Sequence, residues 1–192
     1  MNIPHLFAHG YALRIGVDAN NLPTLALPDV AKDITALHKV LTDPERCAYQ
    51  ADHVRIVAGT EATRQNILEA LEWLQGTITA DGSGNATAFI YDSGHGWRDM
   101  AANSPQYYLI PHDMRENKYR SCALRAEDFA EAVEAIQAQR LCVVLDCCHA
   151  GGMDIKRAAG LPDKFSSAAV PASLFMSGQQ DRMWLTKVAV VA

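Results

Sequence analysis

Two stretches of this chain carry reactive side chains at the ends of apolar runs. In one, Leu141-Cys142-Val143-Val144-Leu145 leads into Asp146-Cys147-Cys148-His149-Ala150-Gly151-Gly152. In the other, Ala88-Phe89-Ile90-Tyr91 leads into Asp92-Ser93-Gly94-His95-Gly96. The attacking species in cysteine chemistry is the thiolate, which needs a base or a cation beside it to form at neutral pH. A Cys at one strand end with a His at another, 53 residues earlier, is the layout of a Cys–His nucleophilic dyad. Of the two adjacent thiols, Cys148 is the candidate nucleophile, because Ala150, Gly151 and Gly152 behind it let a substrate backbone come close. Residues two apart share a face of an extended chain, so Asp146 belongs beside Cys148 and Cys147 belongs in the layer of helices. His95 is the candidate general acid/base, and the N–H groups of Gly96 and Cys148 are the candidate oxyanion donors. The sequence names no group that orients His95; Asp92 is near it in the chain, but its direction is undefined.

The surrounding pattern says how such ends are held. Residues 11–17, 53–57, 86–91, 107–110, 141–146 and 172–176 read as strands. Residues 27–41 carry Val30, Ile34, Leu37, Val40 and Leu41 on a helical stripe that Asp43-Pro44 ends. A second helix follows Thr60, with Ile67, Leu68, Leu71 and Leu74 buried and Gly76 as its stop. A third spans 127–139. Residues 94–105 read as a long loop, and so do those from 147 to about 171. Strands alternating with amphipathic helices predict an α/β sandwich around a mostly parallel sheet, with both motifs at the carboxyl ends of its strands.

The 192 residues suit one compact domain, and 49% hydrophobic with 20% charged residues excludes a disordered chain. The formal charge of −5 and the lack of a Lys/Arg cluster argue against nucleic acid as a partner. The start, Met1-Asn2-Ile3-Pro4-His5, lacks a basic region and a long apolar stretch, so no signal peptide is expected there, and the apolar tail 188–192 is too short to cross a membrane. Five cysteines, an odd count with two adjacent, suit a reducing compartment, so the expected location is the cytoplasm.

The two motifs together resemble those of the caspase-like cysteine peptidases, in the metacaspase and orthocaspase branch. Further similarity lies in Ala12-Leu13-Arg14-Ile15-Gly16-Val17, in Asp33, in the segment from Glu61 to Ile67, in Tyr108-Leu109-Ile110-Pro111-His112-Asp113 and in Ser177-Gly178-Gln179-Gln180-Asp181. The resemblance implies a three-layer caspase-like sandwich and a cysteine endopeptidase working through a thioacyl-enzyme. Caspases cut after Asp and have Gln where this chain has Asp146. In the metacaspase-like branch the primary pocket is acidic, so Asp146, Asp33 and Asp181 would receive an Arg or Lys side chain. Cleavage of proteins or peptides after Arg, with Lys second, is the expectation. The family also cuts its own chain in the loop behind the nucleophile, which here holds Lys156, Arg157 and Lys164. The family's domain continues with another helix and strand past a segment like 177–181. The expected single domain over 1–192 is therefore either a minimal version or C-terminally incomplete.

Rival chemistries are weaker. Zinc on Cys142, Cys147, Cys148 and His149 would need adjacent strand residues to converge, and no Cys-x-x-Cys pair exists, so no metal ligand is assigned. No cofactor is required by the dyad; activation by calcium and the oligomeric state are open. A caspase-like scaffold or regulatory binding module with little turnover is the alternative function, and thiol redox sensing at Cys147 and Cys148 leaves His95 without a role.

Overall fold

The computed structural model describes residues 7–99, 106–147 and 182–186, without the side chains of Arg98, Cys147 and 182–186. In chain order its elements are β1 (Gly10–Gly16), α1 (Val30–Thr42), β2 (Val54–Ala58), α2 (Arg64–Asp81), β3 (Thr87–Asp99) and β4 (Gln106–Ile110). Then come α3 (Tyr119–Cys122), β5 (Leu124–Arg125), α4 (Ala126–Glu134), β6 (Arg140–Cys147) and β7 (Arg182–Thr186).

All seven residues of β1 are buried. A strand buried on both faces belongs inside a parallel sheet covered on both sides. β1 accordingly pairs in parallel with β2 on one edge and β3 on the other, and β3 carries β6 and then β7, again in parallel. Leu13, Ile15, Ile90, Val143 and Leu145 face one side and form the main core with Ile67, Leu71 and Leu74 of α2 and Phe129 and Val133 of α4. The other face carries α1. Ala12 packs there with Leu41, Tyr49 and Val54, and buried Arg14 donates from Nη1 to the Ile34 carbonyl at 2.7 Å. The three-layer sandwich that the sequence implies is therefore the observed fold.

One glycine sets how closely α1 approaches. A Cβ on Gly16 would lie 2.6 Å from Cγ1 of Ile34 and 3.3 Å from Cγ1 of Val30. The missing side chain lets the first turn of α1, which bears Asp33, settle against the end of β1.

Three boundaries differ from the sequence reading. α2 does not stop at Gly76 but runs to Asp81, because Ile78 is still buried; it ends at Gly82, whose φ of 61° is the left-handed cap. Its start is capped by Thr63 Oγ1, which accepts from Asn66 N, and Asp113 Oδ1 accepts from Arg64 N at 2.9 Å. α4 ends at Glu134, short of 139. The largest difference is β3. Residues 94–99, read as the start of a loop, continue the strand, and 95–99 pair antiparallel with β4, which in turn pairs with β5. Tertiary packing overrides the loop-like Gly-His-Gly there. Trp97 stacks on Tyr108 at 4.8 Å and meets the edge of Tyr119 at 5.7 Å, above a fully buried Met114. The strand expected at 172–176 lies outside the described residues.

Candidate active site

His95 stands where β3 leaves the parallel sheet. The last parallel partners of β3 are Gly16 for Ser93 and Cys147 for Gly94, and His95 itself pairs with Ile110 of β4. Its ring is 5% exposed, and Nε2 lies 3.0 Å from the carbonyl oxygen of Leu25. A carbonyl only accepts, so Nε2 carries the proton and, in the neutral ring, Nδ1 holds the free lone pair. Nδ1 is buried and has no hydrogen-bond partner among the described residues. Burial lowers the pKa of His95, with the Leu25 hydrogen bond opposing, so the neutral ring is the resting form.

The Leu25 carbonyl is presented by a short turn, Pro23–Leu25, within the loop between β1 and α1. That loop is closed by Leu27 N donating to Asp18 O at 2.6 Å, and Leu22 N donates to Asn20 Oδ1 at 2.8 Å. It is also clamped to the turn after β4: Asn21 N donates to the His112 carbonyl, and His112 Nδ1 donates back to the Ala19 carbonyl at 2.9 Å. Leu25 is itself buried, and Leu22 packs on the Trp97 cluster. The orienting group is thus a main-chain oxygen 70 residues from His95, not Asp92. Asp92 is buried in register with Ile15 and Leu145, on the α2–α4 side of the sheet.

Asp146, 9% exposed, is the penultimate residue of β6, in register with Ser93. The Tyr91 hydroxyl donates to its Oδ2 at 2.9 Å. Burial is the main cause that pushes the Tyr91 phenol above its ordinary pKa; a Ser93 hydrogen bond opposes, and Asp146 and the charge of Asp33 add to the rise. Asp33 lies in the exposed first turn of α1, so its carboxylate and that of Asp146 act on one phenol. His95, Asp146 and Asp33 are therefore gathered at the carboxyl edge of the parallel sheet. Cys148, Asp181, Lys156, Arg157 and Lys164 lie outside the described residues. Gly96, expected in a loop, is a strand residue paired with Leu109.

Sequence reasoning missed two groups. The Leu25 oxygen belongs to the main chain and leaves no residue-type signal. Tyr91 left none either: that it shares a face with Asp146 on the neighbouring strand depends on the register that pairs Ser93 with Asp146. Among the described residues no group of three or more His, Cys, Asp or Glu side chains is placed to hold a metal ion. No helix among them is long and apolar enough to cross a membrane.

A family model, Metacaspase, peptidase C14 domain, matches residues 11–155, more than half of the chain and inclusive of both motifs. The chain belongs to the metacaspase family. This metacaspase is thereby a cysteine-type endopeptidase, with proteins as its substrates. A search of curated proteins found no match.

Proposed function

We propose that this metacaspase cleaves proteins after Arg, and less readily after Lys, with Cys148 as nucleophile and His95 as acid/base. The observation that carries the proposal is the state of His95: Nε2–H is committed to Leu25, and Nδ1 is buried without a partner among the described residues. A ring so held has one free nitrogen with which to take a thiol proton. Because burial disfavours the imidazolium, that proton moves as the thiolate forms its bond to the substrate carbonyl, not long before.

As Cys148 Sγ bonds to the carbonyl carbon, the π pair moves to oxygen, where N–H groups of Gly96 and Cys148 would stabilise it. Collapse of the intermediate breaks the C–N bond, and the imidazolium gives its Nδ1 proton to the leaving amine. Water then attacks the thioacyl carbon, His95 takes its proton, and the thiol leaves as the acid product forms.

Asp146 and Asp33, with Asp181, would take the cationic side chain before the scissile bond. A partly desolvated carboxylate binds a guanidinium bidentately, while an ammonium is a point charge, which supports Arg over Lys. The five cysteines support the reducing cytoplasm as the place of action.

The test is a matched panel of fluorogenic peptides ending in Arg, Lys or Asp, with Cys148→Ala as control. Arg cleavage above Lys, absent in the variant, is the expected outcome. Cleavage after Asp alone would remove the acidic pocket, and cleavage that survives Cys148→Ala would remove the nucleophile.

A further inference from the structure

We infer that Tyr91 is a specificity-determining positioning residue, whose hydroxyl sets the Asp146 carboxylate in the orientation that receives a guanidinium. The inference rests on the proposed pocket, in which Asp146 binds the substrate's basic side chain.

The geometry is specific. Tyr91 and Asp146 stand on neighbouring strands and the same face, and the register pairs Tyr91 with Val144 and Ser93 with Asp146. The phenol therefore reaches one two-residue step along the sheet, about 6.6 Å, to bring its hydroxyl 2.9 Å from Oδ2. The carboxyl torsion of an Asp side chain is broad and roughly two-fold, so without a partner the plane of the group is loosely set. A hydrogen bond to one oxygen narrows it. A carboxylate has about four acceptor sites on its two oxygens, so one phenol leaves room on both for the two parallel N–H bonds of Arg. The phenol stays a donor at neutral pH, since burial raises its pKa and two carboxylates add to that rise. The benefit is unequal. A planar fork needs the carboxylate plane fixed, whereas an ammonium, being a point charge with rotating donors, does not.

Tyr91→Phe in the full chain removes only the hydroxyl. Loss of one hydrogen bond to a charged group should raise KM for peptides ending in Arg about tenfold and leave kcat within about twofold. Peptides ending in Lys should change less, so the Arg-over-Lys ratio falls. A purely structural role would lower both substrates together. Unchanged KM and ratio in Tyr91→Phe, with Arg cleavage lost in Asp146→Asn, would overturn the inference alone. Full Arg cleavage in Asp146→Asn would instead overturn the pocket on which it stands. Calorimetric titration of an Arg-ending peptide into Cys148→Ala and into Cys148→Ala/Tyr91→Phe reads the same effect without turnover. Weaker binding to the double variant supports the inference, and equal affinity refutes it.

Discussion

Gly16→Ala tests the link between the sheet and the site. The added methyl would sit 2.6 Å from Cγ1 and 3.1 Å from Cδ1 of Ile34, a side chain that is 1% exposed. Carbon atoms in ordinary contact lie about 3.5 Å apart, so the nearest pair must separate by roughly 0.9 Å. Overpacking of this kind costs about 2 kcal/mol. The substitution also stiffens the unfolded chain, a gain of about 0.5 kcal/mol that leaves a net loss near 1.5 kcal/mol. For a chain of this size the melting temperature should fall by roughly 3–6 °C. Ile34 neighbours Asp33, so the same displacement should raise KM for Arg peptides more than it lowers kcat. The assay is thermal unfolding of a double-mutant cycle with Ile34→Ala. Ile34→Ala alone leaves a cavity costing about 2–5 kcal/mol, and the new methyl should partly fill it. The double variant should therefore be at least about 1 kcal/mol more stable than the sum of the two losses implies. Strict additivity would refute the contact, and an unchanged melting point in Gly16→Ala would refute the overpacking.

Trp97→Ala should cost about 3–5 kcal/mol in chemical denaturation, since it empties the aromatic cluster beside the hairpin. Turnover should fall with it, because that hairpin continues the strand holding His95; normal kcat in a destabilised variant would uncouple the two. The folded pKa of His95 lies below the ordinary value of about 6.5, so the unfolded chain binds the extra proton first as pH falls. Its contribution to stability is therefore complete above about pH 6.5 and declines below it, as far as the lowered folded pKa. His95→Gln should lose less stability than the parent between neutral and mildly acid pH in parallel melts, and parallel curves would contradict the buried neutral ring. Active enzyme should cut itself after Lys156, Arg157 or Lys164, seen as fragments that Cys148→Ala does not make. A single intact band after long incubation would exclude self-processing.

The local pattern of the chain was enough to locate five of the elements around the site. Apolar runs at 11–17, 53–57, 86–91, 107–110 and 141–146 correspond to β1, β2, the first half of β3, β4 and β6 within one or two residues. Burial of one or both faces keeps each run mostly apolar, so the signal is written in consecutive residues. The place of Asp146 near the end of β6 follows from the same local switch from apolar to polar, whereas His95 stands within β3, just past the point where its parallel pairing ends. Gly76 shows the limit of such signals: an exposed glycine costs a helix about 1 kcal/mol, too little to end it while Ile78 still buries against the core.

What the residue order left open depends on distant partners. β3 runs on through His95 because β4 pairs with it and Tyr108 and Tyr119 close over Trp97. The His95 proton is assigned by a main-chain oxygen at Leu25, and any residue type could supply that atom. Tyr91 becomes a partner of Asp146 only through the parallel register of β3 and β6, 55 residues apart in the chain. Side-chain types and their periodicity were thus readable from the sequence. Which hydrogen-bonding groups meet was decided by tertiary structure, because a hydrogen bond depends on position to within a few tenths of an ångström and chain order carries no such distance.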